Sequence, residues 1–279
     1  MKRRYGMALI QVNYLSRSLY RTVPVNVILP ADKINYMTGE YLESNDRRFK
    51  TLYLLHGLLG NYTDWVSGTR IQRWAEERDL AVIMPSGDNS FYFNGRMPMD
   101  DYETFIGKEL PDVMRRMFPL SDKREDTFIA GLSMGGYGAF RNGIVFSDIF
   151  GCVAEYSGAL HLFEKKESDK GVREFDTQLF EDIDAASLTD LNPKVAIDKM
   201  LEEGRPVPKI YMSCGTGDPL YQANVDIRDY IRGKGIDVTW DEEDRGHDWD
   251  FWDSQILKTL EWLPLGDAGA GLGSGNVKL

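Results

Sequence analysis

Met7 to Tyr14 and Thr22 to Leu29 alternate apolar and polar side chains, the period of a half-buried strand, and predict two antiparallel strands at a sheet edge. Six later segments are short and mostly apolar throughout: Lys50 to Leu55, Ala81 to Met84, Asp126 to Ala130, Gly151 to Tyr156, Lys209 to Ser213 and Asp237 to Asp241. Strands that read this way are covered on both faces and are usually parallel. Helical spacing is found between them, over Arg70 to Glu77, Tyr102 to Met117, Gly136 to Phe146, Ala223 to Lys234 and Phe251 to Leu263. Strand and helix in alternation predict an α/β sandwich, with a mostly parallel central sheet, antiparallel strands at its start and helices on both faces. In such folds function gathers at the carboxyl ends of the strands. The charged stretch from His161 to Arg205 breaks the rhythm and is expected to be an insertion, a cap over that edge or a solvated excursion.

Composition narrows the class. A chain of 279 residues with 42% apolar content can close one large core, so a single domain over 7–265 is expected. The net charge of −11 leaves no basic face for phosphates, which argues against nucleic acid or an anionic membrane as partner. No apolar run approaches membrane-spanning length, and no secretory signal is read at the start, so a cytoplasmic location is expected. The two cysteines, Cys152 and Cys214, both lie in apolar strand-like segments and read as reduced core thiols. Residues 1–6 and the Gly/Ala-rich tail 266–279 are read as linker or vector sequence outside the domain. Neither a metal-ligand cluster nor a nucleotide loop is seen, so no cofactor is expected.

The most specific chemical signal is Gly131-Leu132-Ser133-Met134-Gly135, which ends an apolar strand and opens a helix. A nucleophile elbow needs this pattern, because small residues two positions either side of the serine let strand and helix pass closely. A serine hydroxyl attacks only when a base takes its proton and a carboxylate holds that base in one tautomer. Of His56, His161 and His247, only His247 sits in a loop between the last predicted strand and the final helix, and it is assigned as base. Asp218 follows a buried strand in a Gly-rich turn and is assigned as the acid, with Asp248 as competitor. The order Ser133, Asp218, His247 is that of α/β-hydrolases. Two N–H donors for an oxyanion are expected from Met134 and from Leu58 in His56-Gly57-Leu58-Leu59-Gly60. Trp65, Tyr102, Tyr156 and Tyr221 fall near strand ends and are candidates to line an acyl or sugar pocket.

With HGLLGNYTDW from His56, YETFIGKELP from Tyr102, GLSMGGYGAF from Gly131, CGTGDPLY from Cys214 and GHDWDFW from Gly246, the chain resembles the esterase D superfamily of α/β-hydrolases. Within it the likeness is closest to tributyrin esterase-like acyl esterases, relatives of S-formylglutathione hydrolases and of feruloyl and acetylxylan esterases. The resemblance runs from about Met7 to Leu263 and implies Ser133 as nucleophile, Asp218 as acid, His247 as base, and the Leu58 and Met134 N–H groups as oxyanion hole. It also implies a serine carboxylesterase acting on small esters with short-chain acyl or cinnamoyl/feruloyl-type groups, acylated sugars included, and a homo-oligomer, either dimer or tetramer. The His56-Gly57-Leu58-Leu59 loop departs from the S-formylglutathione hydrolase pattern and lowers the thioesterase reading. Two further functions are compatible with the same residues: an acyltransferase, in which an alcohol captures the acyl group, and a non-catalytic binding scaffold.

Overall fold

A computed structural model of the chain describes residues 8–30, 34–35, 40–41, 48–95, 99–163 and 182–266. Residues 1–7, much of the expected insertion (164–181) and the tail 267–279 lie outside the described residues. Among the described residues, eight strands form one sheet: β1 (Ala8–Ser16), β2 (Arg21–Leu29), β5 (Lys50–Leu55), β6 (Leu80–Pro85), β7 (Thr127–Leu132), β8 (Cys152–Tyr156), β9 (Lys209–Gly215) and β10 (Val238–Glu243). A separate two-stranded pair, β3 (Ile34–Asn35) and β4 (Glu40–Tyr41), falls between β2 and β5 in the chain. The order across the large sheet is β1-β2-β6-β5-β7-β8-β9-β10. β1 and β2 are antiparallel to their neighbours and every other pairing in that sheet is parallel.

The parallel strands are apolar throughout because both of their faces are covered. Along β5, Leu52 and Leu54 enter the core on one side of the sheet while Tyr53 and Leu55 enter the core on the other. Burying one such side chain contributes about 1.5–3 kcal/mol, so a polar residue on either face would be costly. Helices Ile71–Glu77 and Trp249–Trp262 contribute to the core with Leu52; Met134–Val145, Pro193–Glu202 and Tyr221–Gly233 contribute to the other.

Three differences from the sequence-based elements bear on the functional edge. The single helix expected over 102–117 is broken by a π-helical segment, Phe105–Glu109, which inserts a wider turn between Tyr102–Thr104 and Leu110–Met117. The elbow helix begins at Met134, two residues before the expected start, because Ser133 itself supplies the turn. Within 182–205 the chain forms Ile183–Ser187, capped by Asp182, and Pro193–Glu202, capped by Asn192. Asn-Pro at a helix start is a readable N-cap signal. Buried Arg141, on the elbow helix, binds the carboxylate of Asp190 at 2.7 Å and that of Glu103 at 2.5 Å, which ties the segment around Asp190 to the elbow helix.

Register places the functional edge. Leu55 lies opposite Gly131, Leu132 opposite Tyr156, Tyr156 opposite Ser213, and Gly215 opposite Glu243. The carboxyl ends of β5, β7, β8, β9 and β10 therefore form one row, and the loops that leave them are neighbours.

Candidate active site

Ser133, between β7 and the helix Met134–Val145, has φ 53° and ψ −117°, backbone values that an L-residue adopts only under constraint. The constraint is visible on both sides of the residue. Ser133 N–H donates to Tyr156 O at 2.9 Å, and Ser133 O accepts from Ala159 N–H at 3.0 Å and from Tyr137 N–H at 3.0 Å. Gly131 and Gly135 make the crossing possible. A Cβ on Gly135 would lie 2.5 Å from Leu55 O and nearer still to His56 O, both fixed backbone atoms. Gly135→Ala is therefore expected to cost upward of about 2 kcal/mol and to lower Tm by at least about 4 °C. Calorimetry checks this; an unchanged Tm would mean that the elbow does not need the clearance.

The serine Oγ lies 3.0 Å from His247 Nε2, and His247 Nδ1 lies 2.8 Å from Asp218 Oδ2. Three residues distant in sequence thus form one hydrogen-bonded line. His247 sits in the loop between β10 and Trp249–Trp262, and its ring meets Trp252 edge-on at 5.0 Å between centroids. Its side chain is 32% exposed, whereas that of Asp218 is fully buried. Burial alone would raise the Asp218 carboxyl, but hydrogen bonds from His247, from Leu220 N–H at 2.8 Å and from Ser157 outweigh it and hold the group below the usual carboxylate range. An ionised Asp218 facing Nδ1 fixes the proton there and leaves the Nε2 lone pair to the serine. Asp248 is differently employed: its Oδ1 accepts from Phe251 N–H at 3.0 Å and caps the final helix.

The two N–H groups assigned to an oxyanion lie on loops that meet at the serine. Met134 is the first residue of its helix, so its N–H has no intrahelical acceptor. Leu58 N–H donates to no acceptor among the described residues, while Leu59 N–H is taken by Asn89 at 2.8 Å. Gly57 lies against Ser133: a Cβ there would be 3.5 Å from Ser133 Cβ. His56, buried to 1% exposure, holds this loop from behind. Its Nδ1 lies 2.7 Å from Gly57 O and its Nε2 accepts from Gly87 N–H at 2.8 Å, so the ring is neutral with the proton on Nδ1. Burial lowers its pKa and keeps it so.

Three of the four aromatic candidates for a pocket wall are buried. Trp65 is 1% exposed, with Nε1–H on Leu55 O at 2.9 Å and its ring edge-on to Tyr156 and Trp249. Tyr156 is fully buried on β8. Tyr102 is 3% exposed and gives its hydroxyl to Asp88 at 2.6 Å beside Arg21. Tyr221 is half-buried, with its hydroxyl on Glu242 at 2.7 Å and its ring against Trp240. The first three sit as core or loop supports, because side chains exposed to 3% or less offer almost no surface to a ligand. Sequence reasoning gives neither Ser157 nor His56 a place at the site; the His-Gly pair at 56–57 is a signal for the second, and nothing marks the first. Among the described residues, no group of three or more His, Cys, Asp or Glu is placed to hold a metal ion.

Known proteins carry the same arrangement of chain. A family model described as Esterase matches residues 16–263. An acetyl esterase of Caldicellulosiruptor saccharolyticus is 38% identical over 263 residues, 92% of this chain and 98% of that one. Two solved structures from Staphylococcus aureus superpose with a TM-score of 0.78, each covering 92% of this chain and 98% of its own. One is the S-formylglutathione hydrolase FrmB, 30% identical, and the other the fluorophosphonate-binding serine hydrolase FphF with substrate bound, 32% identical. The match extends over nearly all of the sheet and the loops of the functional edge, so the chain is a carboxylic ester hydrolase with the α/β-hydrolase fold, and it belongs to the Esterase family, in the esterase D-like superfamily.

Proposed function

We propose that the chain hydrolyses short-chain acyl esters, acylated sugars among them, through an acyl-enzyme on Ser133. The hydrogen-bonded line from Ser133 Oγ through His247 to Asp218, on a strained elbow, carries this reading. His247 Nε2 takes the serine proton as Oγ attacks the ester carbonyl carbon, and the carbonyl oxygen becomes an oxyanion held by the Leu58 and Met134 N–H groups. Collapse of the tetrahedral adduct breaks the bond to the alcohol oxygen, which leaves with the proton from His247. Water then repeats the sequence and releases the acid and Ser133. Asp218 stays ionised throughout and stabilises the imidazolium that forms at each attack.

The likeness to an acetyl esterase at 38% identity supports a small acyl group. A thioesterase of the S-formylglutathione type is the second reading, favoured by the likeness to FrmB at 30% identity. A panel of p-nitrophenyl acetate, butyrate and octanoate, methyl ferulate and S-formylglutathione separates them. The expected result is highest kcat/KM on acetate or butyrate with a steep fall to octanoate. A preference for S-formylglutathione would overturn the ester reading, and failure of every substrate together with failure of a fluorophosphonate to label Ser133 would overturn the enzyme.

A further inference from the structure

One buried acid near the site has no part in this chemistry. Glu155 stands on β8 in the run Val153-Ala154-Glu155-Tyr156, with no exposed surface at all. Its Oε2 accepts from Gly158 N–H at 2.7 Å, and its Oε1 has no partner among the described residues. Asn224, equally buried on helix Tyr221–Gly233, donates from Nδ2 to Gly158 O at 3.0 Å and to Leu220 O at 2.8 Å. The two side chains therefore grip residue 158 at its N–H and at its C=O.

Residue 158 is the middle of a strap. Tyr156 O accepts from Ser133 N–H, and Ala159 N–H donates to Ser133 O, so residues 156–159 hold both backbone polar groups of the serine. Ser157, inside the strap, has φ 50° and is itself bonded through its N–H to Ser213 O at 2.8 Å. Gly158 also backs the elbow helix closely: a Cβ on Gly136 would lie 2.8 Å from its Cα. A strained conformation persists only where the surroundings over-determine it, and here the surroundings are this strap. Holding a carboxyl wholly out of water with one of its oxygens unpartnered is costly, which asks for a reason in the position it secures.

We propose that Glu155 and Asn224 are positioning residues: by clamping the Gly158 peptide from both sides they fix the 156–159 strap, and with it the strained backbone that aims the Ser133 hydroxyl at His247. The proposal rests on Ser133 being the nucleophile. Neither residue touches substrate. Loss of either grip lets the strap relax and tilts the serine away from its attack geometry, which affects the chemical step rather than substrate binding.

The protonation of Glu155 adds a second handle. Burial pushes its carboxyl up to about 8, with the Gly158 and Ser213 N–H groups opposing and the Asp218 charge reinforcing the rise. The charged and titratable groups facing it are Asp218, the Cys214 thiol and the Tyr156 hydroxyl, and none is a cation. A proton held more tightly in the folded chain stabilises it fully at acid pH, and that contribution is lost as pH rises through about 8. Above that pH a second buried negative charge appears beside Asp218; the Gly158 N–H bond itself strengthens, but repulsion from Asp218 displaces the Glu155 carboxylate and with it the strap.

The test measures kcat and KM per folded molecule on p-nitrophenyl acetate, with fluorophosphonate labelling rates, for Glu155→Met, Asn224→Leu and Glu155→Gln. The two apolar variants are expected to lose about 10- to 100-fold in kcat with KM within about twofold, and to label more slowly in parallel. Glu155→Gln keeps an acceptor for Gly158 N–H and is expected to stay near wild type at pH 7, while lacking the wild-type decline in kcat above pH about 8. Wild-type kcat in folded Glu155→Met or Asn224→Leu overturns the proposal, and so does an alkaline limb that Glu155→Gln retains unchanged. If the apolar variants do not fold, the Glu155→Gln profile decides alone. An unaltered chain that fails to hydrolyse or label speaks against Ser133 as nucleophile, a separate result that needs no variant.

Discussion

Ser133→Ala is expected to lower kcat on p-nitrophenyl acetate by about 10⁵- to 10⁶-fold while leaving the chain folded. The magnitude follows from the role proposed for the hydroxyl. Without Oγ there is no covalent intermediate, His247 has no proton to take, and only binding and the oxyanion donors remain to help water attack. The fold survives because alanine fills the same space and can occupy the same strained backbone, which is held by Tyr156 O and Ala159 N–H rather than by the side chain. Active-site titration with a fluorophosphonate and a steady-state rate together read this out. A variant that keeps more than about a tenth of wild-type turnover would remove Ser133 from the chemistry.

Asp218→Asn is expected to cost about 10⁴-fold in kcat, although it changes only an oxygen into an amide nitrogen. Asp218 Oδ1 already accepts from Leu220 N–H, so the asparagine carbonyl takes that place and the amide turns its NH₂ toward His247 Nδ1. That nitrogen must then accept, the ring proton moves to Nε2, and the nitrogen facing Ser133 has no lone pair to offer. A pH profile distinguishes this from a mere loss of charge, because a ring locked in the wrong tautomer regains basic character toward the serine only when hydroxide removes a proton. Activity that rises with alkali supports the tautomer account; a small, pH-independent loss contradicts it.

Much of the fold is legible in the sequence because two different physical rules write different patterns. A strand covered on both faces, such as Leu52 to Leu55, must be apolar at every position, whereas β1 at the sheet edge alternates. Local geometry without a hydrophobic signature is not legible. The π-helical turn at Phe105–Glu109 changes hydrogen-bond partners but not the apolar face, and the short helix Asp64–Gly68 is too brief to show a period. The aromatic pocket candidates fail for a related reason: Trp65 and Tyr156 lie near strand ends, but sequence does not say whether a large ring at such a place turns toward solvent or into the core. Glu155 does carry a signal, since it is a lone acid within an apolar strand, but the pattern around it does not say what the carboxyl would hold.

The alternation of strand and helix, the elbow at Gly131 to Gly135, and the chain order of a serine, a carboxylate and an imidazole are all written in the order of residues alone. These are local or ordinal properties, set by side-chain period, by glycine clearance and by the loops in which the residues stand. It took the folded chain to bring Ser133 Oγ within 3.0 Å of His247 Nε2, to clasp the serine backbone with the Tyr156 to Ala159 strap, and to wall Trp65, Tyr102 and Tyr156 into the core. Those outcomes depend on which strands become neighbours and in what register. Register is fixed by packing summed over the whole sheet, and no segment carries it alone.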